Sequence, residues 1–175
     1  VQDSFTFSSE IQNQDHTLYM ASFDVQSLFT NIPLDETIDI CVEKVFHNKR
    51  KVKGLLKRHF KELLSLSVKS SCFLFNGTYY KQTDGVAMGS LLGPTLANMF
   101  LAYHEDIWLE DCPLQFRPKF YRRYVDDIFL MFGNKDHVKK FLRYMNSRHR
   151  NIQFTYEEEN DDNIPFLDVT ITRTA

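Results

Sequence analysis

Residues 119–132 read KFYRRYVDDIFLMF. Lys119 to Val125 and Ile128 to Phe132 are short β-prone runs, and Asp126 and Asp127 fall between them. About a hundred residues upstream, another apolar run, Leu18 to Phe23, ends on Asp24. An Asp-Asp pair in a loop is usually a solvated turn, so the pair gains meaning only together with Asp24. Three carboxylates presented at strand ends can hold two Mg²⁺ ions about 3.5–4 Å apart. Such a pair of ions clamps the attacking and leaving oxygens of a phosphoryl transfer. Nucleotidyl transfer is therefore the leading expectation.

Outward from this stretch, the pattern alternates between strand and helix. Leu18 to Val25 reads as a strand. Pro33 opens a helix through about Asn48, with Asp35 and Glu36 in the first turn, where the helix dipole favours acids. Ile38, Cys41, Val42 and Val45 give it an apolar stripe. A second helix is expected from about Leu55 to Val68. Cys72 to Phe75 and Thr78 to Lys81 flank Asn76-Gly77, a dipeptide suited to the positive φ angles of a type I′ turn. A Gly-rich loop, Gly85 to Gly93, leads into Pro94 at the start of a third helix that ends before Pro113. After the Asp-Asp hairpin come a helix, Lys135 to Arg148, and two strands, Ile152 to Tyr156 and Phe166 to Thr172. The order predicts an α+β fold with helices on one face of an antiparallel sheet. Laying the first strand beside the hairpin brings Asp24 to Asp126 and Asp127.

The 175 residues suffice for one domain with a real core. Residues 1–16, polar with scattered Phe, read as a linker or the remnant of a missing element; the domain proper is 17–175. The ends, Val1 and Ala175, suggest a piece of a longer protein. Sixteen Phe and eight Tyr argue against disorder. No apolar run is long enough to span a membrane. Cys41, Cys72 and Cys112 are odd in number and widely spaced, so they read neither as a zinc site nor as a disulfide framework. A reducing, intracellular setting fits them. Net charge is −2, but seven cations between Lys49 and Lys61 form a patch. It reads equally as a phosphate-binding surface or as a solvated helix face.

FDVQSLFTNIP, GVAMGSLLGPTLANMF, YVDD and IPFLDV resemble reverse transcriptase motifs A, B, C and E, in that order. The wording is most similar to the Penelope-like retroelements, relatives of telomerase, above all from Phe73 to Pro94. The resemblance covers about Leu18 to Ile171. It implies a polymerase palm, with most of the fingers, the thumb and any endonuclease domain lying outside this stretch. It implies an RNA-directed DNA polymerase acting on an RNA template, a DNA primer and dNTPs, in a nuclear setting. It also implies two Mg²⁺ ions, with Mn²⁺ as a substitute. Asp24 and Asp126 would bind both ions, Asp127 would support them, and the Val25 carbonyl would complete one shell. Phe29 matches the steric gate against a ribose 2′-OH; its other reading is core packing. Met88, Gly89 and Ser90 match the loop along the nascent base pair, where glycine lets backbone approach closely. Tyr124 and Val125 would pack near the primer terminus. Phe166, Leu167 and Asp168 match the primer grip, and equally fit an ordinary strand entering the core. Gln82 could bond substrate or simply end a solvated hairpin.

The chain departs from the pattern in two places. Ser90-Leu91-Leu92-Gly93-Pro94 stands where the Penelope-like group shows Ser-Pro-Leu-Ser-Pro. No Lys lies between Asn151 and Asp168 to serve as a general acid after motif C, and Lys135, Lys139 and Lys140 fall on a helix. Two alternatives remain open. One is a decayed or domesticated palm that binds nucleic acid without catalysis. The other is an RRM-like domain stacking bases on Phe73, Phe75 and Tyr79.

Overall fold

The structure is a computed structural model and describes residues 1, 3–87 and 89–173. In chain order the elements are α1 (Ser4–Ile11), β1 (Tyr19–Val25), α2 (Leu28–Asn31), α3 (Leu34–Phe46), β2 (Lys51–Val52), β3 (Leu55–Leu56), α4 (Lys57–Lys69), β4 (Cys72–Phe75), β5 (Thr78–Lys81), α5 (Gly93–Asp111), β6 (Phe120–Tyr124), β7 (Asp127–Phe132), α6 (Asp136–Asn146), β8 (Phe154–Glu158), β9 (Asn163–Phe166) and β10 (Val169–Thr172). They pack into two units, residues 1–26 with 108–175, and residues 27–107. Among the described residues, no helix is long and apolar enough to cross a membrane.

The first unit is built on a four-stranded sheet of order β6-β7-β1-β8, antiparallel throughout. Alternation along its central strands separates two faces. On one face, Phe23 and Phe132 meet Phe141 of α6, with ring centroids 5.8 and 5.7 Å apart. Val138, Phe141 and Met145 recur at helical spacing and are all fully buried, which fixes α6 to this face. On the other face, Met20, Phe129 and Met131 pack with Phe7 of α1 and with Ile164 and Phe166 of β9. Phe7 lies 5.1 Å from Phe129 and 4.7 Å from Phe166, ring to ring.

Two local expectations change here. Within the stretch 1–16, read as a linker or remnant, Ser4–Ile11 is a helix capped by Asp3, whose carboxylate accepts from the Thr6 N–H at 2.7 Å. Its Phe7 is fully buried, so this helix is part of the core. The run Phe166 to Thr172, read as one strand, instead crosses a hairpin: Phe166 ends β9, Leu167-Asp168 is the turn, and Val169–Thr172 is β10, pairing back from Phe166↔Val169 outward.

The second unit holds its own core between α3, α4 and α5: Ile38, Cys41, Val42, Phe46, Val68 and Leu96, with Phe60 edge-on to Phe46 at 5.5 Å. Across the exposed side of α3 and α4, Asp35, Asp39 and Glu43 pair with Lys69, Lys61 and Lys57. The helix expected from Leu55 begins at Lys57, because Lys51–Val52 and Leu55–Leu56 form a short hairpin ahead of it. Its turn, Lys53-Gly54, has φ of 46° and 82°, the two positive values of a type I′ turn. The Asn76-Gly77 hairpin forms as expected, at φ 48° and 76°. Every residue of its two strands is exposed, including Phe75 and Tyr79.

Candidate active site

The first unit converges its carboxylates by strand register. Asp24, on β1, lies directly opposite Asp127, on β7. The next residue, Val25, donates its N–H to the Asp126 carbonyl at 3.0 Å. Hydrogen-bonded and non-hydrogen-bonded pairs alternate along an antiparallel ladder, so Asp24 and Asp127 form a non-hydrogen-bonded pair. Such pairs have Cα atoms about 4.5 Å apart and their side chains on the same face. Asp126 occupies the adjoining turn, next to both.

Like charges directly opposite each other are unfavourable in a sheet. Burial, and then the neighbouring Asp126 carboxylate, push the Asp24 carboxyl above its ordinary value. Asp127 is raised by burial, then by Asp126 and Asp24. No cation contributes to either shift. The three groups therefore form a concentrated negative charge that a divalent cation would relieve, and an all-oxygen donor set suits Mg²⁺ or Mn²⁺.

The turn that presents Asp126 is strained. Tyr124 and Asp127 close a two-residue turn, and Val125 at its first central position has φ of 55°. That angle costs a β-branched residue about 1–3 kcal/mol, and such residues persist only where the surroundings force them. Here β7 supplies the force, since Ile128 through Phe132 are all buried. Tyr124 and Val125 themselves are exposed.

Asp24 and Asp127 line a groove of about 240 Å³ together with Pro165, Phe166 and Leu167. This settles which face of the sheet the β9–β10 hairpin serves. Phe166 is buried against Phe129 (5.5 Å), while Leu167 turns the chain at φ 53°, a second strained apolar residue. Asp168 completes that turn and is exposed. Phe166 thus packs the core and, with Leu167, walls the carboxylate groove. The groove also takes in Ser22, Thr155 and Glu157, which the sequence reading passed over. The signal was available: Ser22 alternates with Asp24 on β1, and β8 places Thr155 opposite Asp24 and Glu157 opposite Ser22.

The second unit contains the remaining candidates. Phe29 is half-buried on α2, and its carbonyl accepts the Val86 N–H at 2.6 Å. Gly85 is required at this junction: its φ is 71°, and a Cβ there would lie 2.5 Å from the Thr30 oxygen and 2.8 Å from that of Phe29. Asp84 accepts from the N–H groups of Gly85 (2.9 Å) and Leu34 (3.4 Å), tying the loop to the first residue of α3. Gly89 takes φ of 87° with open space around it, and the Ser90 hydroxyl accepts from the Leu92 N–H at 3.3 Å. Met88 lies outside the described residues. Gln82 spends its side-chain amide on the Asp84 carbonyl, which is a loop-holding role. Lys135 pairs with Glu158 and faces the Tyr19 ring.

An antiparallel sheet that brings three aspartates to one end of paired strands is the frame of this site. Residues 2–159 match the family described as Reverse transcriptase (RNA-dependent DNA polymerase), and the chain belongs to that family. It is 27% identical over 111 residues to the telomerase reverse transcriptase of Oryza sativa subsp. japonica, a match covering 58% of this chain and 9% of that protein. Its fold resembles apo telomerase from Candida tropicalis, with TM-score 0.74 and 14% identity over 98% of this chain and 35% of that one. A form of that enzyme truncated from the C-terminal domain gives TM-score 0.71 and 16% identity, covering 99% and 39%. Telomerase from Candida albicans, in complex with a TWJ fragment of telomeric RNA, gives 0.72 and 13%, covering 99% and 34%. This chain thus spans under a tenth of the curated relative and well under half of each solved structure.

Proposed function

We propose that this chain is the palm of an RNA-directed DNA polymerase and carries its metal-binding carboxylates. The observation that supports this most is the direct pairing of Asp24 with Asp127 beside Asp126, with no cation among the described residues acting on Asp24 or Asp127. Structure of this kind is destabilising unless a cation binds. Reverse transcriptase domains in general work with divalent metal ions. Two bound ions would supply activation of the primer 3′-OH and neutralisation of the leaving pyrophosphate.

The protein's own contribution is position. Asp24 and Asp126 would hold both ions, with Asp127 supporting and the Val25 carbonyl adding a ligand. The strained Val125 turn would keep the Asp126 carboxylate from swinging away. Phe166, Leu167 and Asp168 would steady the primer end along the carboxylate groove. Phe29 would exclude a ribose 2′-OH by steric clash, while Met88, Gly89 and Ser90 would lie along the nascent base pair. The substrates are then an RNA template, a DNA primer and dNTPs, with fingers and thumb supplied by the rest of the parent chain. The phrase from Phe73 to Pro94 favours a Penelope-like retroelement as that parent, acting in the nucleus.

Primer extension by the intact parent tests the reading. Asp126→Ala is expected to abolish Mg²⁺-dependent extension while leaving the fold in place; substantial extension by that variant would sink the assignment. Phe29→Ala is expected to admit ribonucleotides, and an unchanged preference for dNTPs would remove the gate. A palm that binds nucleic acid without catalysis would show RNA binding indifferent to Mg²⁺ and to the aspartate substitutions.

A further inference from the structure

From Lys44 to Lys61 the sequence holds eight cations and no acid, in a chain whose net charge is −2. The structure sorts them. Lys57 and Lys61, on α4, are paired with Glu43 and Asp39 of α3, while Lys44 and Arg58 are exposed on the helices and make no ion pair among the described residues. Lys49, Arg50, Lys51 and Lys53 are exposed, and none of the four makes an ion pair among the described residues. They are carried on and beside the β2–β3 ribbon, which is not a floppy loop. Val52 packs against the core of the second unit, and the Lys53-Gly54 turn has the paired positive φ angles of a type I′ hairpin. Four like charges on about five residues repel one another, and no ion pair among the described residues offsets them.

We propose that the β2–β3 ribbon is an electrostatic grip for the phosphate backbone of an RNA strand. Complementarity of charge carries the argument: four adjacent unneutralised cations on a hairpin anchored by Val52, with Lys57 and Lys61 beside them already matched to acids, fit a polyanion contacted without regard to sequence. The inference rests on the proposed polymerase reading for the identity of the strand as RNA, and on nothing in the carboxylate site.

The test is fluorescence anisotropy of the full chain with a labelled 20-nucleotide oligo(U), in EDTA, across a salt series. Each phosphate neutralised on a single strand contributes about 0.7 to the slope of log K against log salt. Replacing Arg50, Lys51 and Lys53 together by Gln is expected to lower that slope by about 2 and to weaken binding at least about tenfold at 0.1 M salt. Lys57→Gln with Lys61→Gln removes two charges that the acids of α3 already match, and is expected to leave the slope nearly unchanged. Should the triple variant fail to fold, Lys53→Gln alone is read for its expected loss of about 0.7. An unchanged slope in the ribbon variants, an equal loss in the helix variant, or binding to phosphatidylserine vesicles but not to oligo(U) would each overturn the proposal. Asp126→Ala separates the two readings. If that variant of the parent still extends primers while the ribbon variants lower the slope as expected, the polymerase site is wrong and the grip stands. If extension is lost but the ribbon variants keep their slope, the reverse is true.

Discussion

Two hairpin turns of this molecule have the same length and opposite character. Asn76-Gly77 joins strands whose residues are all exposed, and both its positive φ angles fall on residues that accept them. Val125-Asp126 joins β6 to the buried strand β7, and its positive φ falls on a β-branched residue that resists it. The first turn must be favourable by itself, because little around it enforces the geometry. The second is enforced by a strand buried from Ile128 to Phe132, so it can tolerate strain, and it is the one that carries Asp126. Rigidity at the carboxylates thus comes from packing rather than from local preference.

The largest expected effect breaks the comparison at its functional end. Asp126→Asn keeps the turn and removes a charge, and primer extension by the parent should fall at least about a hundredfold. Next, Mg²⁺ at about 100 times its Kd should stabilise the chain by about 2.7 kcal/mol, seen as a rise in the thermal midpoint. Asp24→Asn should lose most of that rise; an equal rise in the variant would remove Asp24 from the metal site. Asn76→Val puts a β-branched residue at φ 48° in the exposed hairpin and should cost about 1–2 kcal/mol there, read by faster hydrogen exchange at Phe75 and Thr78. The reciprocal change, Val125→Asn, should stabilise the metal-free chain by up to about 1 kcal/mol in urea denaturation while slowing extension. If both swaps destabilise alike, the two turns do not differ in strain.

The smallest effect is in pH. Asp24 and Asp127 have folded-state pKa values raised above their ordinary values by burial and by neighbouring carboxylates. Folding therefore favours their protonated forms. Their stabilising contribution is full below the unfolded-state value and is lost as pH rises through the raised folded-state values. The metal-free chain should become more stable, as far as these groups act, when pH falls toward about 4. Asp24→Asn with Asp127→Asn should flatten this dependence in thermal melts across that range.

What the sequence made legible followed from signals that act locally. Asn76-Gly77 announces its turn chemically, and the α6 stripe at Val138, Phe141 and Met145 announces its face. The alternation that ends on Asp24 was enough to bring it to the Asp pair. The β9–β10 turn was missed because Leu167-Asp168 contains neither Gly nor Asn. The turn is framed instead by the Phe166–Val169 pairing and by the packing of Phe166 against Phe7 and Phe129, with Leu167 at a positive φ. Helix α1 was missed for a related reason: Phe7 is its one buried residue, so no apolar stripe marks it. The basic patch was ambiguous because only part of it is matched by acids of the fold. The α4 lysines meet acids on α3, whereas the ribbon cations do not. In each case the missing information was a contact between residues distant in sequence.

The pairing of Asp24 with Asp127 also bears on how this stretch of gene tolerates change. Side chains alternate with a period of two, so a single-codon deletion between Tyr19 and Phe23 that left β1 anchored at its start would carry Asp24 to the opposite surface of the sheet. A deletion of two codons would restore the surface but displace the carboxylate by about 7 Å along its partner. Substitutions within β1 can be absorbed one methyl group at a time, but its length cannot drift. The strand acts as a ruler, and reading-frame-preserving insertions and deletions there should be as damaging as loss of the aspartate itself.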